Sequence, residues 1–303
     1  VGVTAFVPTL AADAEERTLA ALRAIARARE ARAAGELPRR ARVLGAHLEG
    51  PFLNPARAGA IPPRYLRPAD RAHAARLLDA APGLVRLMTV APDLPGAPEL
   101  IAWLAGQGVI VSLGHTAADY ATFRAGLDAG ARHVTHLFNA MTGLHHRAPG
   151  AAGAALTDDR ATVELIADGE HVHPAVLALA IRAKGPDRTA LVSDAVGPAG
   201  LPPGEYDWLD QRVVSDGRTV RLPDGTLAGS LGTLDVAYRV VTGPAGVSVQ
   251  NAARLLATTP ARILGLDGAG RLAPGADADL TALDAAGDVR LTIVGGEVAF
   301  DGR

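Results

Sequence analysis

GVIVSLGHT, residues 108–116, and HVTHLFNA, residues 133–140, decide how the chain is read. Each is a short run of Val, Ile and Leu that closes on polar residues, and a helical pattern, residues 117–129, separates them. Unbroken apolar runs of this length are what a strand buried on both faces looks like, and helices packed on a parallel sheet create that situation. The same unit recurs outward in both directions. VTAFVPT (3–9), RVLGAHLEG (42–50) and LVRLMTVAP (84–92) come before; TVELIADG (162–169) and TALVSDA (189–195) come after. Helix candidates fill the gaps at 14–34, with Asp13 to cap it and Gly35 to end it, and at 68–80, 95–105 and 174–183.

Seven strands in strict alternation with helices predict a (β/α)8 TIM-type barrel lacking its first strand, in preference to an open doubly wound sheet. The start VGVTAFVPT has no lead-in and no initiator Met, which agrees with an absent N-terminal segment. After Asp194 the segment 197–229 is rich in Pro, Gly and short polar strands and reads as a long excursion. Helices resume at 234–242 and 249–258. The tail alternates apolar and polar residues around Gly295-Gly296, a hairpin signal. The expected division is a barrel over 1–275 and, over 276–303, the C-terminal strands of a small β-sandwich.

Composition excludes several classes of function. Thirty basic against 32 acidic residues give a formal charge of −2, with no run of one sign to hold nucleic acid or a lipid surface, so the expected partner is a small molecule. No cysteine is present, which leaves His, Asp and Glu for any metal chemistry and fits a cytoplasmic enzyme. Charged residues interrupt every apolar run before the ~20 residues a membrane span needs, and no signal peptide is visible.

In a β/α barrel, chemistry sits at the carboxyl ends of the strands. Glu49 closes the second of the seven runs, His115 the fourth, His136 the fifth and Asp194 the seventh. Two imidazoles and a carboxylate suit Zn2+ or Fe2+ and leave a coordination position open. Any one of these histidines alone reads more simply as a hydrogen-bonded loop residue, and Asp194 alone as a turn former before Gly197-Pro198. Their joint placement favours a metal site.

The ordered motifs HLEGPFLNPARAGA (47–60), SLGHT (112–116), THLFNAM (135–141), ADGEHVHP (167–174), LVSDA (191–195), AGSLGTLD (228–235) and NAARLLATTPARILGL (251–266) resemble those of the N-acetylglucosamine-6-phosphate deacetylases, a family of amidohydrolase barrels. The resemblance spans essentially the whole chain. It implies that Glu49, His115 and His136 bind one divalent metal ion, Zn2+ or Fe2+, and that Asp194 is the general base and acid. It further implies that Asn139, Ala140 and His171 contact the sugar phosphate, that Arg147 reaches the phosphate in a neighbouring subunit's site, and hence that the enzyme is a homodimer. His173 receives no role. The implied reaction hydrolyses an acetamide to an amine and acetate.

Two departures stand out. Ile61 occupies a position where the family usually has a His or Gln that polarises the carbonyl, and isoleucine donates no hydrogen bond. Either the metal alone does this work, or His145 or His146 substitutes, or the loop aligns differently. No H-x-H pair precedes Glu49, so ligands for a second metal are not evident. Three alternatives follow: a deacetylase of another acetamido sugar phosphate such as a galactosamine, a different amidohydrolase, or a truncated chain that binds sugar phosphate or metal without turnover.

Overall fold

A computed structural model describes residues 2–36 and 40–302. At its centre lies one parallel sheet of seven strands, β1 (Thr9–Ala11), β2 (Ala46–Glu49), β3 (Val85–Val90), β4 (Ile110–Leu113), β5 (His133–Val134), β6 (Thr162–Ile166) and β7 (Thr189–Val192). Each strand pairs with its neighbour in the sequence, which is barrel order with no crossover. Among the described residues no strand joins β1 to β7, so the curled sheet is open at that seam. The order is the expected one, and the last six strands lie within the expected runs.

Helices fill the intervals: α1 (Glu15–Ala33), α2 (Arg71–Asp79), α3 (Ala97–Gly106), α4 (Tyr120–Asp128), α5 (Gly150–Thr157) and α6 (Pro174–Lys184). After β7 come α7 (Leu234–Thr242) and α8 (Val249–Ala253), the latter continuing through a π turn at Arg254–Thr258 into a short helix at Thr259–Ile263. Their starts are set by local chemistry, because a helix leaves its first N–H groups unpaired. Asp70, Asp119, His173 and Ser248 each accept a backbone N–H from the first turn that follows. The structure thus gives His173 a role, as the cap of α6. Leu48, Met88, Leu113 and Leu165 from the strands meet Leu77, Leu104, Phe123 and Leu177 from the helices in one continuous buried core. Truncating any of these leucines to alanine costs about 2–5 kcal/mol.

Three expectations need correction. The first run splits in two: Ala5–Phe6 pairs with Arg42–Val43, and only Thr9–Ala11 joins the barrel sheet. Gly45 is the reason, since at φ 154° the chain leaves one partner for the other, and a side chain there would meet the Leu84 carbonyl oxygen at 2.5 Å. Val1 lies outside the described residues. Asp13 does not cap α1; its carboxylate accepts from the Ala14 N–H and pairs with Arg17. Helix α5, GAAGAALT, has no apolar stripe to find because Gly150 through Ala155 are buried on every side, and such a helix shows no period. Lys184 closes its carboxyl end, donating to the Ala155 and Asp158 carbonyls at 2.7 and 2.5 Å.

The excursion after β7 is an antiparallel meander, β8 (Gly204–Trp208), β9 (Gln211–Ser215) and β10 (Val220–Arg221). The tail forms a second antiparallel sheet, β11 (Leu280–Leu283), β12 (Val289–Val294) and β13 (Glu297–Asp301), turning at Gly295-Gly296 as expected. Arg42 ties it to the barrel through Asp277 and Asp279. Among the described residues no helix is long and apolar enough to cross a membrane.

Candidate active site

A cavity of about 520 Å³ opens at the carboxyl ends of the strands. Glu49 ends β2 and points its carboxylate inward. His115, His136 and Asp194 each stand two residues past the ends of β4, β5 and β7. All three occupy the left-handed region, at φ 47°, 29° and 49°, which non-glycine residues seldom adopt. This bend turns each side chain out of the strand direction and toward the cavity they share.

Glu49 Oε1 lies 3.1 Å from His115 Nε2 and 2.9 Å from His136 Nε2, and the two nitrogens are 3.1 Å apart. The partners behind them decide what this cluster wants. His115 Nδ1 faces the Arg57 carbonyl at 2.8 Å and must donate to it, so in the neutral ring Nε2 carries a lone pair. His136 Nδ1 is buried and, among the described residues, has no hydrogen-bond partner. A carboxylate oxygen and two imidazole nitrogens thus converge on one point. Burial opposes charge on both Glu49 and His136, yet their mutual attraction outweighs it: the Glu49 carboxyl is held well below the usual range, and His136 is pushed up to about 9. The cluster demands positive charge at its centre. Its donor set, buried and confined within 4.8 Å, fits a divalent cation.

The motif around Glu49 explains the second role of that loop. Asn54 caps the turn Pro55–Arg57 that presents the Arg57 carbonyl to His115, and its amide also donates to Asp93 at 2.6 Å. Asp93 in turn accepts from Thr116 Oγ1 at 2.5 Å, next to His115. Behind His136, Glu164 on β6 pairs with His133 at 2.9 Å and accepts the His136 backbone N–H at 3.4 Å.

Asp194 lines the cavity with the cluster. Desolvation by the surrounding protein and the negative charge of Glu49 push its carboxyl up to about 7, against the pull of His136 and His171. Its backbone is stitched to the AGSLGTLD motif, where Ser230 N donates to the Asp194 carbonyl at 2.9 Å.

Of the expected substrate residues, His171, Asn139 and Ala140 line the same cavity. His171 Nδ1 sits 2.7 Å from Asp168 Oδ2. Asn139 folds its amide back onto the His136 carbonyl at 3.1 Å, and left-handed Ala140 accepts the Thr116 N–H at 3.0 Å. Arg147 is not brought into this cavity; it is exposed on a turn, paired with His146 at 2.7 Å. His145 and His146 stack there with ring centroids 4.2 Å apart and are likewise exposed, so neither replaces the donor lost at Ile61. Ile61 itself is buried on the cavity wall against Ala12 and Leu53. Sequence reasoning missed Asp168, Ser230, Asp93 and Glu164, although the first two lie inside motifs already noted.

The amidohydrolase family model matches residues 2–299. The chain belongs to the amidohydrolase family. Such enzymes are metal-dependent, and the relatives of this amidohydrolase are amino-sugar-phosphate deacetylases. An N-acetylgalactosamine-6-phosphate deacetylase of Escherichia coli O157:H7 is 40% identical over 98% of this chain and 78% of the relative. An N-acetylglucosamine-6-phosphate deacetylase of Bacillus subtilis is 41% identical over 86% of this chain and 66% of its own length. The N-acetyl-D-glucosamine-6-phosphate deacetylase of Mycobacterium smegmatis, solved as a mutant in complex with N-acetyl-D-glucosamine-6-phosphate, superposes with TM-score 0.90 at 37% identity, covering 97% of this chain and 76% of that one.

Proposed function

We propose that this amidohydrolase cleaves the acetamide of N-acetylglucosamine 6-phosphate, releasing glucosamine 6-phosphate and acetate. The observation that carries the reading is the convergence, in one cavity, of Glu49, His115 and His136 in a donor set that fits a divalent cation, with the Asp194 carboxyl lining the same space. Glu49, His115 and His136 would hold a single Zn2+ or Fe2+ ion. Bound there, the ion would supply Lewis acidity, which lowers the pKa of water and polarises a carbonyl.

The remaining chemistry belongs to side chains. Burial raises the proton affinity of the Asp194 carboxyl, which suits a group that must first take a proton and then return it. Asp194 takes the proton of the attacking water as its oxygen bonds to the acetamide carbon, then gives that proton to the nitrogen as the C–N bond breaks. Without that return the amine is a poor leaving group. His171, Asn139 and Ala140 orient the sugar phosphate, whose binding away from the amide can be used to place the amide. Arg147, exposed beyond its own cavity, would serve a second subunit of a homodimer.

The N-acetylgalactosamine 6-phosphate relative, at 40% identity, supports a second reading that differs in the orientation of one hydroxyl. Acetate release from both sugars in the presence of Zn2+ or Fe2+ separates them. The glucosamine substrate is expected to have the higher kcat/KM. The reverse order moves the assignment to the galactosamine, and release from neither overturns the deacetylase reading.

A further inference from the structure

The motif AGSLGTLD, residues 228–235, has no part in the chemistry derived so far, yet its backbone is locked in place. Gly229 sits at φ 76°, and a side chain there would meet Val196 Cγ1 at 2.4 Å. A side chain on Gly232 would meet Asp168 Cβ at 2.9 Å. What this tight packing delivers is Ser230, whose Oγ donates to Asp168 Oδ2 at 2.7 Å while accepting the Gly232 N–H at 2.9 Å.

We propose that Asp168 and Ser230 are positioning residues: they fix the His171 ring with its proton on Nδ1 and its Nε2 turned to the cavity, where it meets substrate. The assignment of His171 to substrate rests on the deacetylase reading; the positioning does not. Asp168 is saturated with donors. Its Oδ1 accepts the Glu170 and His171 N–H groups, both at 2.9 Å, and its Oδ2 accepts Ser230 and His171 Nδ1. Burial opposes the charge on Asp168, but these hydrogen bonds outweigh it and hold the carboxyl below the usual range. An ionised carboxylate only accepts, so His171 Nδ1 must carry a proton. The opposite nitrogen, Nε2, is then left for the cavity that His171 lines. The arrangement follows the general device by which a carboxylate behind an imidazole sets its tautomer and orientation.

Asp168→Asn tests this directly. Two backbone N–H groups claim the Oδ1 position, so the asparagine oxygen settles there and its NH2 replaces Oδ2. Facing an N–H donor, His171 Nδ1 must become the acceptor and the tautomer inverts. In 15N NMR spectra of the purified protein recorded at alkaline pH, where an imidazole is neutral, His171 Nε2 is expected to change from the lone-pair to the N–H type. With either amino-sugar phosphate, kcat/KM is expected to fall about tenfold to a hundredfold, the range typical of such outer partners. In a His171→Gln background the same substitution is expected to cost nothing more. Ser230→Ala keeps the carboxylate and so the tautomer, and is expected to lower kcat/KM severalfold with the same disappearance in the His171→Gln background. It stands in should Asp168→Asn fail to fold. An unchanged His171 tautomer in Asp168→Asn overturns the proposal, as does a loss equally large with or without His171. The spectrum is read without turnover, so inactivity on every sugar would refute the deacetylase reading and leave the positioning result standing.

Discussion

Two histidine–carboxylate clusters face one cavity, and they are built on opposite principles. Glu49, His115 and His136 bring a carboxylate oxygen and two ring nitrogens together within 3.1 Å, and among the described residues His136 Nδ1 behind them is left unpaired. Asp168, His171 and Ser230 match each acceptor on the carboxylate with a donor. The first cluster is incomplete without an added positive charge; the second is complete as folded. Identical side-chain types therefore do different work according to what their far atoms bond. An imidazole backed by a carbonyl offers a lone pair, and one backed by a donor-saturated carboxylate is held rigid for another task.

The largest expected effect tests whether Asp194 belongs functionally to the incomplete cluster. Asp194→Asn should retain metal, measured by elemental analysis, and lose turnover by about a thousandfold, within the 10²–10⁴ range of proton-transfer catalysis. Undiminished turnover would remove Asp194 from the mechanism. The next effect breaks the contrast itself. Zn2+ at about a hundred times its Kd should stabilise the metal-free protein by about 2.7 kcal/mol, read as a rise in Tm. In His136→Ala that rise should vanish, whereas in Asp168→Asn it should persist, because the second cluster holds no cation. A metal response surviving in His136→Ala would show that the first cluster is not the site.

The smallest effect concerns a buried charge that, among the described residues, forms no ion pair. Among the described residues Lys184 donates only to neutral carbonyls, and its burial, with the charge of Arg188 nearby, pushes it down to about 8. The unfolded chain, with a lysine near 10.4, then binds more protons than the folded one between about pH 8 and 10. Stability should accordingly rise with pH through that window, and urea unfolding of Lys184→Met should show a shallower rise. An identical slope in both proteins would mean that Lys184 is charged equally in the two states.

Much of this architecture was legible. The barrel strands after the first, most of the helices between them and the turn at Gly295-Gly296 are written in apolar period and turn chemistry, and Glu49, His115, His136 and Asp194 advertise themselves as polar ends of apolar runs. What stayed hidden has a common cause. Helix α5 is buried all round and carries no period. The split at Gly45 depends on the Leu84 carbonyl, far away in sequence. Asp168 and Ser230 are 62 residues apart, and nothing in either neighbourhood announces that they touch. His145 and His146 looked available by residue type and are excluded only by position. Local rules reveal elements; pairings between distant polar groups emerge only when the sheet curls.

The left-handed backbone at His115, His136 and Asp194 has a consequence for how such a chain changes over generations. Each strained non-glycine conformation costs on the order of 1–3 kcal/mol, a backbone cost that exchange for glycine would not carry at these bends. A lineage selected only for an unstrained backbone would drift toward that exchange and lose its chemistry without losing its shape. Bulky polar residues at these bends trade backbone ease for side chains aimed into the cavity.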